Sequence, residues 1–146
     1  MRRQITYWLP PIVWAAMILS ASSDVFSASH TGGWIEIVIS WFGRSLSPAA
    51  LDLLNEILRK TGHVAAYGIL SALSFRALRG ERPGWNPRWA IGAIALAALV
   101  ASIDEYHQSF IPSRTGTWHD VVLDTAAALL VQTTIRAAQV LIFRST

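Results

Sequence analysis

Four apolar stretches punctuate the chain, at residues 5–22, 61–75, 89–103 and 121–135, the last continuing past Arg136 to Phe143. Each is rich in Ala, Leu and Ile and lacks the strict alternation of a half-buried strand, so each reads as a helix. Two amphipathic stretches lie between the first and second. In "WIEIVISWFGR", Glu36, Ser40 and Arg44 recur every fourth residue and draw one narrow polar stripe, which suits a helix at a membrane interface. In "SPAALDLLNEILRK", Ser47 can cap a helix and Pro48 fits its first position. Leu51, Leu54, Ile57 and Leu58 then form one face, and Asp52, Asn55, Glu56 and Arg59 the other.

The second and third runs are short. A membrane span needs about 20 residues to cross roughly 30 Å of hydrocarbon. Fifteen uncharged residues make only about 22 Å of helix. To span, these runs must recruit polar neighbours, giving spans at about 5–22, 61–79, 89–108 and 120–143. Charged side chains facing lipid are costly, so the recruited ones should face each other or water. Gly68, Ser71, Gly92 and Ala95 are small enough to let helices approach closely.

Composition supports a membrane setting. The 146 residues suffice for one domain; 53% are hydrophobic and only 14% charged, against about 25% in soluble domains. Seven tryptophans suit membrane interfaces. Cysteine is absent, which removes disulfide and thiolate-metal readings. The net charge of +3 does not form a nucleic-acid footprint, because the arginines flank the apolar runs. Arg2, Arg3, Arg76, Arg79, Arg82, Arg88 and Arg144 fall on one side of a four-span layout. The positive-inside rule then places both termini in the cytoplasm and faces residues 104–120 outward. A cleaved secretory signal is the rival reading of the first run, but Trp8, Pro10, Pro11 and Trp14 make a poor signal core.

The candidate chemistry gathers at the outward end. Asp104, His107 and Gln108 are spaced to share a helix face, with Glu105 pointing elsewhere. Asp120 and Asp124 lie four apart, and Lys60, His63 and Tyr67 three and four apart. Three stripes therefore meet at one level, although Asp120 could simply cap its helix. Asp104, His107, His119 and Asp120 offer oxygen and nitrogen ligands, but no metal-binding spacing such as HExxH appears. No metal and no cofactor is expected. Ser109 and Ser113 carry no sign of activation. "SRTGTWHDVVLD" is partly similar to the last motif of membrane lipid phosphatases, with spacings that differ and the earlier motifs missing.

Two further segments resemble the VanZ-like family of small membrane proteins. "KTGHVAAYGIL" is similar to its Lys-x-x-His-x-x-x-Tyr, and "DEYHQSFIPSRTGTWHDVVLDTAA" to its Asp-Glu-x-x-Gln motif followed by Arg and Asp. The matching residues are Lys60, His63, Tyr67, Asp104, Glu105, Gln108, Arg114 and Asp120, with "ILSASSD" a looser match at the end of the first run. The chain departs from the pattern at Asp124, where the family has asparagine, and at Ala127, where it has glycine. The resemblance implies a link to resistance against teicoplanin, a lipid-tailed glycopeptide.

The expected architecture is an all-α membrane bundle of four transmembrane helices, one domain over residues 1–146, with interfacial helices between spans one and two. The expected function is binding or processing of an anionic amphiphile at the outer leaflet of a bacterial plasma membrane, either a lipid-linked cell-wall precursor or a lipid-tailed antibiotic. Membrane lipids are the expected partners, and no nucleic acid is. Lys60, His63, Tyr67, Gln108 and Arg114 are the expected ligand-binding residues, with Lys60 and Arg114 holding anionic groups. Asp104 would orient His107, and Asp104, Glu105, His107 and Asp120 are the candidates for acid–base chemistry. A hydrolase or transferase acting on a lipid phosphate, and a purely structural cluster that locks helix packing, remain open alternatives.

Overall fold

A computed structural model describes residues 2–22, 37, 40–41, 46–112 and 116–144, apart from the side chains of Arg2, Phe143 and Arg144. Four long helices account for most of them: α1 (Arg2–Ala21), α2 (Pro48–Arg79), α3 (Pro87–Gln108) and α4 (Trp118–Arg144). No strand occurs among the described residues. Helices α2, α3 and α4 pack against one another, and α1 lies mainly against α2.

The helix ends follow the local chemistry. Ser47 accepts from the Ala50 N–H at 3.3 Å and Pro48 opens α2, while Asn86 and Pro87 do the same for α3. Gly80 ends α2 with a φ of 60°, a conformation that side-chain-bearing residues rarely adopt. One expectation is corrected here. The amphipathic stretch after Ser47 and the second apolar run are not two helices but one of 32 residues. Nothing between them can break a helix, since Gly62 alone costs only about 1 kcal/mol and no proline follows. The stretch "WIEIVISWFGR" lies almost wholly outside the described residues.

Two helices, Pro87–Gln108 and Trp118–Ile142, are long and apolar enough to cross a membrane. The expected four spans are therefore matched in two helices by length and composition. Only 33% and 17% of those two apolar windows are buried in the bundle, unlike the core helices of a soluble domain. Large apolar side chains point outward from every helix, among them Ile12 and Met17 on α1, Ile57 on α2, Ile91 and Leu99 on α3, and Leu130 and Leu141 on α4. The interior combines many small and polar residues with a few large ones, Tyr67, Leu70 and Phe75. Ala90, Ala93, Ala97 and Ala101 run down the buried face of α3. Ser71 and Gln132 are joined by a 2.8 Å hydrogen bond between α2 and α4. A polar interior within an apolar exterior is the arrangement that lipid favours.

One end of the bundle is basic and aromatic. Arg3 pairs with Glu81 at 2.9 Å, which brings the start of α1 to the turn between α2 and α3. Arg76, Arg82 and Arg136 lie 5.0–5.2 Å from the ring centres of Tyr7, Trp89 and Trp85. Guanidinium groups over aromatic rings are well suited to a headgroup layer. The buried carboxylates occupy the opposite end.

Candidate functional site

At that opposite end four segments bring polar side chains inward. The end of α1 supplies Ser22, α2 supplies Arg59, His63 and Tyr67, α3 supplies Asp104, Glu105 and Gln108, and α4 supplies Asp120 and Asp124. Ser22, Tyr67, Asp104, Glu105, Gln108, Asp120 and Asp124 are all buried.

They divide into two groups. The first is a knot around Asp104. The Tyr67 hydroxyl donates to Asp104 Oδ2 at 2.9 Å, and the Ser22 hydroxyl donates to Oδ1. Gln108 Nε2 donates in turn to Ser22 at 3.2 Å. Both oxygens of this fully buried carboxylate are thus engaged, and α1, α2 and α3 are tied at one point. Trp14, donating to the Ala66 carbonyl at 2.9 Å, adds a second tie between α1 and α2.

The second group surrounds Asp124. His63 Nδ1 stands 3.2 Å from Asp124 Oδ2, the spacing at which a protonated ring nitrogen donates to a carboxylate. Glu105 Oε2 accepts from the Thr117 N–H at 2.9 Å. The residue before Thr117 has to be small, because a Cβ on Gly116 would stand 2.2 Å from the Glu105 carbonyl oxygen. The loop therefore folds directly onto the end of α3. Asp120 pairs with Arg59 at 3.3 Å. Glu105 Oε1 and Asp124 Oδ1 are buried without a hydrogen-bond partner, and so is Gln108 Oε1.

Several sequence expectations land elsewhere. His107 is exposed and Asp104 does not orient it, since Asp104 is held by Tyr67 and Ser22. Glu105 faces a partner other than those of Asp104, the Thr117 N–H, and is buried as well. Asp120 does not cap α4. Thr117 does, accepting from the Asp120 N–H at 3.3 Å, and Asp120 sits in the first turn, where the helix dipole favours a carboxylate. Lys60 is exposed and 2.7 Å from Glu56, whose carboxyl it holds below the usual carboxylate range by its hydrogen bond and charge. His119 is exposed and stacked on Trp118, and Ser109 donates to the Tyr106 carbonyl. Arg114 and Ser113 lie outside the described residues.

Arg59 and Thr117 were missed as members of the cluster, and Ser22 was marked only by the loose match of "ILSASSD". Once α2 is continuous, Arg59, His63 and Tyr67 fall four residues apart on one stripe, so the signal was present in the sequence. The departure at position 124 also gains a meaning: it sets a second carboxylate beside His63 and Glu105.

Apolar outer faces and two helices long and apolar enough to cross a bilayer are features of helical membrane proteins. Residues 7–139 match the VanZ/LLP1 family model, and the chain belongs to that family. No curated protein and no solved structure matches it.

Proposed function

We propose that this VanZ-family protein spans the membrane four times, with both termini in the cytoplasm. In this reading the carboxylate end opens at the outer leaflet and receives the headgroup of an anionic amphiphile. A lipid-linked cell-wall precursor and a lipid-tailed glycopeptide such as teicoplanin both have the required chemistry, and binding either one links the protein to antibiotic resistance. The observation that carries the reading is the partly exposed Arg59 beside the cluster, together with the unpartnered oxygens of Glu105 and Asp124, which can accept from hydroxyl, amide or amine groups of the same headgroup. Buried polar groups in native proteins are normally satisfied, and exceptions cluster where something binds. Arg59, paired with Asp120, and the exposed Lys60 supply the cations of this end. Arg59 is 30% exposed, and the exposed Lys60–Glu56 pair costs little to open. A headgroup would meet both cations and carboxylates.

The Asp104 knot favours a structural role for part of the cluster, because it leaves neither carboxylate oxygen free. Chemistry on a lipid phosphate gains no support from Ser22, which donates to Asp104 and not to His63.

The test is teicoplanin susceptibility of cells expressing the protein, with membrane levels measured in parallel. Expression should raise the tolerated concentration, and Arg59→Ala and Glu105→Gln should abolish the increase at unchanged protein level. Full protection by both variants would sink the reading. Reporter fusions after Arg82 and after Ser113 check the topology, and they must report opposite sides.

A further inference from the structure

The two buried oxygens without partners belong to residues that converge with a histidine. One ligand atom from each of His63, Glu105 and Asp124 lies within 4.8 Å of the other two. The three come from three different helices, so the packing of α2, α3 and α4 creates the arrangement. We propose that His63, Glu105 and Asp124 bind a first-row divalent cation of the Zn2+ or Mn2+ type.

Charge points to a divalent ion. Asp120 is balanced by Arg59, and Asp104 is satisfied by two hydroxyl donors. Among the described residues this leaves Glu105 and Asp124 as the buried acids with an oxygen that no donor meets. Two carboxylates and a neutral imidazole bring a 2+ ion to zero net charge, the state a low-dielectric interior favours. Donor type points to the class. One imidazole nitrogen with two carboxylates suits borderline first-row metals, whereas Ca2+ and Mg2+ favour all-oxygen shells. Two ligand atoms bound tetrahedrally to one ion at about 2.1 Å stand about 3.4 Å apart. The widest separation in the cluster must therefore close by up to about 1.4 Å, and the long Glu105 side chain can supply that movement.

Surrounding groups support the ligands. Thr117 N–H holds Glu105 Oε2, fixing one carboxylate oxygen while the other stays free, as donors behind metal ligands commonly do. Three protein ligands leave a coordination position open. On the headgroup reading, that position takes an anionic oxygen and explains how an acidic cluster accepts an anion. Only this last clause rests on that reading; the metal site stands or falls without any amphiphile.

The test uses the full chain purified in detergent, freed of metal by chelator and titrated with Zn2+ alone by calorimetry, with Co2+ absorption as a second readout. About one equivalent should bind, and Co2+ should show visible d–d bands. Glu105→Gln and Asp124→Asn, both nearly isosteric, should weaken binding by at least about ten-fold. His107→Ala removes an exposed histidine on the same helix and should change nothing. Helical circular dichroism verifies that each variant is folded. No saturable binding by the parent protein, or undiminished binding in folded Glu105→Gln and Asp124→Asn, overturns the proposal. Loss of binding in His107→Ala alone would also overturn it, since the ion would then be a surface one.

Discussion

Asp104 and Asp124 are equally buried, at 0% exposure each, yet they stand in opposite situations. Asp104 has a hydroxyl donor on each oxygen and binds three helices together. Asp124 has a histidine on one oxygen and nothing on the other. The comparison separates two uses of a buried carboxylate in one small bundle. A fully partnered acid works as an internal knot, with its donors preorganised around it. A partly partnered acid keeps a free valence that only a ligand, an ion or a proton can fill. Burial alone does not distinguish the two; the count of partners does.

The largest expected effect falls on the knot. Asp104→Ala orphans the buried Tyr67 and Ser22 hydroxyls, at about 1–3 kcal/mol each, so it should cost about 2–6 kcal/mol in total. Thermal unfolding in detergent measures this, and a change below about 1 kcal/mol would dissolve the distinction. Gly116→Ala comes next, because its Cβ has no room against the Glu105 carbonyl. The loop must shift, at about 1–3 kcal/mol, and the Thr117–Glu105 bond should be lost with it. Wild-type melting in this variant would show that the loop does not pack as described.

Arg59→Ala should cost about 1–2 kcal/mol, less than a fully buried pair because Arg59 is partly solvated. Asp120→Asn on that background should recover part of the loss, since it removes the stranded charge. Simple additivity in this double-mutant cycle would mean that the two residues do not interact. The smallest effect belongs to Lys60→Ala, which should leave melting unchanged and lower only the capture of an anionic headgroup. A marked fall in melting temperature would place Lys60 inside the bundle.

The helices were legible from the sequence because their signals are local. Ser47–Pro48 marks the start of α2 within a few residues of the event; Asn86–Pro87 and Gly80, signals of the same kind that were missed, mark the start of α3 and the end of α2. The continuity of α2 was not legible, because the change from amphipathic to apolar at Lys60 looks like a boundary although no backbone breaker is there. The polar end could be located from the short apolar runs, but its internal pairing could not. Whether Asp104 turns to His107 or to Tyr67 depends on the rotation of α3 against α2, which no spacing within α3 encodes. The ligands of the proposed metal site sit on three helices and leave no compact motif. His63 and Asp124 are 61 residues apart.

The most direct test of the central claim is a side-by-side thermal unfolding of Asp104→Asn and Asp124→Asn in detergent with chelator present. Asparagine at 104 turns an amide N–H2 toward a hydroxyl donor, so that variant should melt well below the parent. Asparagine at 124 removes a buried charge from an oxygen that had no partner, so that variant should melt within about 2–4 °C of the parent, roughly 1 kcal/mol. Equal and large losses in the two variants would show that Asp124 is part of the same structural knot, and would contradict the division between knot and site.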